Sequence, residues 1–275
     1  MSTLHSTLGF IGAGNMAHSI ISGLINKGTA PQLITASNPR SNKLTHLMQE
    51  YGIQTTTDNN ENVEKSQLII LAVKPQVLPS VLEEIKKTVN PTTHLVISIA
   101  SGITIADLAQ KLPSNTPIIR AMPNTPTQIG EGLTCCVANH RVSEEQKALA
   151  TTVFDGVGTT LWVQDDDAID KAAAIAGCGP AYFFYMMESL LTVAKEWGFS
   201  DPMAKTLVAQ TALGAAQLYT QGSKTPASLQ QAVTSPEGMT AAAIELLDKN
   251  TMKETIASAV KAAYDRAIAL SKEVG

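Results

Sequence analysis

The chain has 275 residues, 44% of them hydrophobic and 16% charged, with a formal net charge of -4. That length and composition suit one large or two ordinary globular domains, and the mild acidity gives no electrostatic reason to expect nucleic acid or an anionic membrane as a partner. Three cysteines, Cys135, Cys136 and Cys178, supply neither a disulfide framework nor a spaced set of zinc ligands. The amino end, Met1 to Phe10, lacks a secretory signal, and no apolar run approaches the roughly eighteen residues of a membrane helix, so a cytoplasmic protein is expected.

Short β-rich runs alternate with amphipathic stretches through the first part of the chain. Leu8 to Ile11 predicts a strand, Met16 to Lys27 a helix, Leu33 to Ala36 a second strand and Ser41 to Tyr51 a second helix. A strand over Leu68 to Val73, a helix over Pro79 to Val89, a strand over Leu95 to Ile99, a helix over Ile105 to Leu112 and a strand over Ile118 to Met122 follow. Near-continuous apolar runs are what parallel strands covered on both faces require, and the alternation predicts an α/β fold with a doubly wound, mostly parallel sheet. Two more strands, Leu133 to Ala138 and Thr159 to Val163, flank a helix opening at Ser143, where Gln146 completes a capping box.

After Asp165, Asp166 and Asp167 no strand pattern recurs. Pro180 to Trp197, Pro202 to Tyr219 and Met252 to Lys272 carry apolar residues at three- and four-residue spacing, so an α/β domain over 1–164 precedes an all-helical domain over 165–275. An alanine-rich helical domain of this size exposes much of its surface when alone. The helical domains of two subunits are therefore expected to pack together.

Gly12-Ala13-Gly14-Asn15-Met16-Ala17 follows the first strand and opens the first helix, the context in which a G-x-G-x-x-A string denotes dinucleotide binding, the plainer alternative being glycines that serve only tight packing. Gly12 allows the tight turn, Gly14 removes a side chain where backbone meets pyrophosphate, and Ala17 lets helix and strand pack closely. The carboxylate that holds a ribose 2′-hydroxyl about twenty residues on is missing. The second strand ends instead in Ala36-Ser37-Asn38-Pro39-Arg40-Ser41, and Arg40 with Ser37, Asn38 and Ser41 suits a 2′-phosphate, favouring NADPH over NADH. A solvated Asn-Pro turn accounts for the same residues. At the carboxyl edge of the sheet, where open α/β folds bind ligands, Ala72-Val73-Lys74-Pro75 offers Lys74 to the nicotinamide ribose or as an exposed cap. Asn124, in the turn-rich stretch after the strand ending at Met122, stands where it would orient the nicotinamide or form a plain turn.

Six segments, GFIGAGNMA (9–17), AVKPQ (72–76), SIASGI (98–103), RAMPNTP (120–126), GCGPAY (177–182) and VTSPEGMT (233–240), together resemble the pyrroline-5-carboxylate reductases across nearly the whole chain. The resemblance implies reduction of L-1-pyrroline-5-carboxylate to L-proline, the final step of proline biosynthesis, with NADPH as hydride donor and NADH as its alternative. It implies an amino-terminal Rossmann-type domain, a helical domain that interlocks with its partner in a homodimer, assemblies of such dimers, and a substrate site between the cofactor and helices of the dimer. The substrate carboxylate is implied to rest on Ser235, Gly238, Met239 through its backbone, and Thr240, with Thr240 also hydrogen-bonding the imine nitrogen. Such a reduction needs neither a metal nor a strong protein base.

Taken alone, Ser235-Pro236-Glu237 reads as a helix N-cap with proline at the first helical position. Three departures from the family pattern stand out: Glu237 for a common glycine, Met239 for threonine and Cys178 for serine. A carboxylate at 237 would repel substrate unless it points away. Cys178 is expected to be a small buried residue, since His5, His18, His46, His94 and His140 all precede the helical half and none is there to activate it. Two other readings are a β-hydroxyacid dehydrogenase with Lys171 as its catalytic lysine, and a non-catalytic NADPH-binding sensor whose loop Glu237 has spoiled.

Overall fold

The computed structural model describes residues 5–274. The first part of the chain forms β1 (Leu8–Ile11), α1 (Asn15–Asn26), β2 (Ile34–Ser37), α2 (Ser41–Tyr51), β3 (Gln54–Thr56), α3 (Asn59–Glu64), β4 (Leu68–Leu71), α4 (Leu78–Ile85), β5 (Leu95–Ser98) and α5 (Ile105–Lys111). It continues through β6 (Ile118–Pro123), β7 (Gly132–Ala138), α6 (Glu144–Asp155), β8 (Gly158–Trp162) and α7 (Asp166–Ala172). One sheet carries the strands in the order β3-β2-β1-β4-β5-β6-β7-β8. Among the described strands only β6 and β7 pair antiparallel. The order reverses between β1 and β4, which makes this the doubly wound arrangement expected from the alternating pattern, with its ligand crevice at that switch point.

The two-residue period of β4 divides the core. Leu68 and Ile70 join Leu8, Phe10 and Ile34 under the apolar faces of α1, α2 and α6, whereas Ile69 and Leu71 join Val96 and Ile118 under α4 and α5. Burying each such side chain contributes about 1.5–3 kcal/mol, an upper range because unfolded chains already bury part of this surface. On α1 the buried positions Ala17, Ile20, Ile21 and Leu24 follow the helical repeat, which seats its first turn at the end of β1.

Two elements arise without an apolar pattern. The edge strand β3 is Gln-Thr-Thr and largely open to solvent, and α3 buries only Asn62 and Val63. What starts α3 is Asp58, whose carboxylate accepts hydrogen bonds from the N–H groups of Asn60 (2.8 Å) and Glu61 (3.3 Å).

Contacts divide the chain into two compact units, one running through Cys178 and resuming at Ala263, the other spanning Gly179–Ala262. The first unit keeps α7 because Arg120 of β6, only 1% exposed, donates to Asp166 Oδ1 at 2.7 Å and to Asp170 Oδ1. A guanidinium removed from water needs this forked carboxylate pairing. Between α7 and the next helix lies a π-helical turn, Ala173–Gly177.

The second unit contains α8 (Gly179–Glu196), α9 (Asp201–Gln221), α10 (Pro226–Ala232), α11 (Met239–Lys249) and the opening of α12 (Met252–Val274). Phe183, Phe184, Tyr185, Trp197, Leu213 and Leu218 are all exposed, and α10 and α11 bury no described residue. An apolar surface of this extent marks an interaction face.

Candidate active site

The glycine-rich turn is clamped between strand ends. Gly12 N–H donates to the Ser37 carbonyl, and Ala72 N–H donates to that of Ile11, each at 2.8 Å. Gly12 has φ +108°, and a Cβ there would lie 2.5 Å from the Ala72 carbonyl oxygen, with Val73 also close, so only glycine fits. At Gly14 the reason is different. Its φ of -86° suits any residue, and a Cβ would meet nothing within 4 Å. It would project into open space at the N-terminus of α1, where no side chain caps the helix and the first amide bonded within it is His18 N–H to the Gly14 carbonyl. The N–H groups of exposed Asn15, half-buried Met16 and buried Ala17 are left to receive an anion. Unpaired amides beside a residue with no side chain fit a dinucleotide pyrophosphate.

At the end of β2 the exposed Arg40 occupies the N-cap position of α2 without a side-chain cap, and Asn38 steadies the loop by donating to the Arg40 carbonyl at 3.0 Å. Ser37 is arranged otherwise. Its hydroxyl is buried, donates to Asn59 Oδ1 at 2.7 Å and accepts from Asn62 Nδ2 at 3.0 Å, so the group that the sequence reading offered to a 2′-phosphate is committed inside the protein. The cation and donors left facing outward are Arg40, Asn38 and the first amides of α2.

Beyond β4, half-buried Ala72 and Val73 lead to exposed Lys74, whose carbonyl accepts from Val77 (2.9 Å) and Leu78 (3.2 Å), with Pro75 between them. Asn124, just past β6, is engaged at both amide atoms: its Nδ2 donates to the Ala176 carbonyl at 3.0 Å and its Oδ1 accepts from Leu133 N–H at 2.9 Å. It thereby fastens the π-helical turn to the edge of the sheet. Turns of this kind leave backbone groups needing such partners.

In the second unit, Ser235 to Gly238 forms a β-turn closed by Gly238 N–H to the Ser235 carbonyl at 3.1 Å. Pro236 supplies the fixed φ of the second position, and Glu237 takes φ +59° at the third, the signature of a type II turn. This corrects the N-cap reading of Ser235: the cap is Gly238, and α11 begins at Met239. A Cβ on Gly238 would lie 2.5 Å from Ser235 Oγ, so the turn folds back on a bare backbone. No side chain caps α11, leaving the N–H groups of Met239, Thr240 and Ala241 without helical partners. Thr240 is half-buried and its hydroxyl makes no hydrogen bond among the described residues. Met239 is 94% exposed and can offer its amide without its side chain intruding.

Of the remaining nucleophile and base candidates, Lys171, Cys135 and Cys136 are tied up or buried. Lys171 Nζ donates to Asp167 Oδ2 at 2.6 Å, a bond that raises its pKa and keeps it charged, and it lies 5.9 Å from the Tyr264 ring. Cys135 and Cys136 are buried, and burial pushes both thiols up. Cys178 is exposed rather than buried as expected.

Residues 166–270 match the family described as pyrroline-5-carboxylate reductase dimerisation, and residues 7–102 the one described as NADP oxidoreductase, coenzyme F420-dependent. The chain is 38% identical to the pyrroline-5-carboxylate reductase of Vibrio alginolyticus, with 98% of each chain covered. A pyrroline-5-carboxylate reductase from Coxiella burnetii superposes with a TM-score of 0.91 at 39% identity, covering 97% of this chain and 98% of that one. The Plasmodium falciparum pyrroline carboxylate reductase with NADP bound gives 0.89 at 30% identity, covering 98% and 100%. The two uncapped helix N-termini, one at a dinucleotide turn and one behind a type II turn, thus stand in a chain that belongs to the pyrroline-5-carboxylate reductase family.

Proposed function

We propose that this enzyme reduces L-1-pyrroline-5-carboxylate to L-proline with NADPH, closing proline biosynthesis. The observation that carries the reading is the open N-terminus of α11, where three free amides and the Thr240 hydroxyl stand together. Amides of that kind receive a carboxylate, and a hydroxyl beside them reaches a ring nitrogen two bonds away from the carboxyl carbon.

When bound, NADPH supplies a hydride to the carbon of the C=N bond. Gly12, Gly14, Asn15, Met16 and Ala17 would hold its pyrophosphate at α1, Asn38 and Arg40 would hold the 2′-phosphate, and Ala72 to Pro75 would line the nicotinamide side. Ser37 and Asn124 act by shaping that edge rather than by presenting free side chains. Ser235 and Gly238 set the turn, the amides of Met239 and Thr240 take the carboxylate, and the Thr240 hydroxyl orients the imine nitrogen. A threonine hydroxyl is too weak an acid to protonate the imine at neutral pH, so the proton comes from the iminium form of the substrate or from water. Orientation then supplies much of the barrier reduction.

In this reading residues 1–164 bind the dinucleotide and 165–275 bind substrate and dimerise. The dimerisation match opening at residue 166 and the exposed aromatic residues of α8 support that division. Dimers assemble further, and the enzyme works in the cytoplasm; no described helix is long and apolar enough to cross a membrane. The test is steady-state NADPH oxidation with the five-membered imine, its six-membered homologue and NADH as comparisons. Turnover is expected with the five-membered imine and NADPH. Tight NADPH binding with no turnover of either imine would favour the sensor reading instead.

A further inference from the structure

His46 and Glu50 stand one helical turn apart on the outer face of α2, where residues four apart are neighbours. The crossovers that carry α1 and α2 return to adjacent parallel strands, and such connections are right-handed, so both helices cover the same face of the sheet. That places His18 of α1 against the same carboxylate. Glu50 Oε2 lies 3.2 Å from His18 Nε2 and 3.2 Å from His46 Nε2, and the three donor atoms all fall within 4.8 Å of one another.

We infer that His18, His46 and Glu50 form a binding site for a divalent first-row transition metal of the zinc class, bridging α1 and α2. Three lines of geometry support it. Zinc bound at about 2.0–2.1 Å in a tetrahedron sets its ligand atoms about 3.3–3.4 Å apart, close to both nitrogen-to-oxygen separations here. Both imidazoles present the same nitrogen to one carboxylate oxygen, as ligands converging on one centre do. The other carboxylate oxygen is held by the Tyr51 hydroxyl, which donates to Glu50 Oε1 at 2.7 Å, the kind of outer partner that orients a ligating carboxylate, and which also stands 3.3 Å from His18 Nε2, a contact that a metal would replace.

Three protein ligands leave a position for water, and the His46 side chain is 69% exposed, so the site is open. It opens beside a cleft of about 660 Å³ shared with Gly14, Asn15, Lys43 and Gln128, which puts the metal next to the dinucleotide turn without using a residue of that turn as ligand. The alternative is a solvated ion pair of Glu50 with a protonated histidine, which would bind no metal in fixed ratio.

The test is calorimetric titration of zinc chloride into chelator-treated, tag-free full-length protein, with cobalt(II) visible absorption as a second readout. One zinc per chain is expected, with an intense tetrahedral cobalt spectrum, and His46→Ala and Glu50→Gln should each weaken binding at least about tenfold. Both positions are exposed, and Glu50→Gln keeps the side-chain shape, so metal-free unfolding midpoints should match the wild type. Absence of saturable one-to-one binding, or binding that both substitutions leave unchanged, would overturn the site.

Discussion

Gly12 and Gly14 stand two residues apart in one motif, yet the structure gives them separable jobs, and alanine at each should dissociate stability from cofactor binding. At Gly12, φ +108° forces an L-residue into a costly region, about 1–2 kcal/mol. The added methyl would also overlap the Ala72 carbonyl oxygen at 2.5 Å, and overpacking against backbone costs about 1–3 kcal/mol more. Gly12→Ala should therefore lose about 2–5 kcal/mol in urea unfolding without cofactor. At Gly14 the backbone is ordinary and the methyl meets no atom. Lower unfolded-state entropy, worth about 0.4–1 kcal/mol, is offset by a few tenths lost at an N-cap that prefers glycine to alanine, leaving stability within about 0.5 kcal/mol. The same methyl fills the space the pyrophosphate needs, so NADPH affinity measured by fluorescence titration should fall at least about tenfold, or about 1.4 kcal/mol. A Gly14→Ala enzyme that is stable and binds NADPH normally would refute the cradle. A Gly12→Ala enzyme losing less than about 1 kcal/mol would refute the clamp.

Arg120→Met should cost about 3–5 kcal/mol in the same assay, because it leaves the Asp170 carboxylate buried without its partner; Asp166→Asn should cost less, since that side chain is 30% exposed. Arg40→Ala should raise KM for NADPH about tenfold and leave KM for NADH unchanged, and equal effects on both cofactors would remove Arg40 from the 2′-phosphate. Glu237→Gly should lower KM for the imine several-fold by removing a like charge near its carboxylate. Its effect on stability should stay within about 1 kcal/mol, the relief of a left-handed residue being opposed by the entropy of the new glycine. A rise in KM would show that Glu237 helps rather than hinders.

What could be read from the sequence depended on how local the deciding physics is. The turn at Gly12 and Gly14 was legible because one strand, one turn and one helix define it, and β4 was legible because Leu68 to Leu71 is buried on both faces. β3 and α3 were not, since Gln54-Thr55-Thr56 has no apolar period and α3 is nucleated by a single carboxylate; Asp58 followed by Glu61 was the only available signal. Missing α3 also hid the fate of Ser37, whose hydroxyl is taken by Asn59 and Asn62 of that helix. The ion pairs of Arg120 span 46 and 50 residues, beyond any local pattern, although Asp166 and Asp170 share a helix face. The start of α11 was misplaced because the fixed φ of Pro236 suits a first helical turn and the second position of a type II turn equally well.

Hydride delivery to the imine carbon of a substrate held by its carboxylate can be followed by isotope transfer. NADPH deuterated at the transferring position of the nicotinamide should yield L-proline carrying one deuterium, on the ring carbon bonded to nitrogen on the side away from the carboxylate. Proline formed without that label, or oxidation of NADPH with no proline at all, would contradict it.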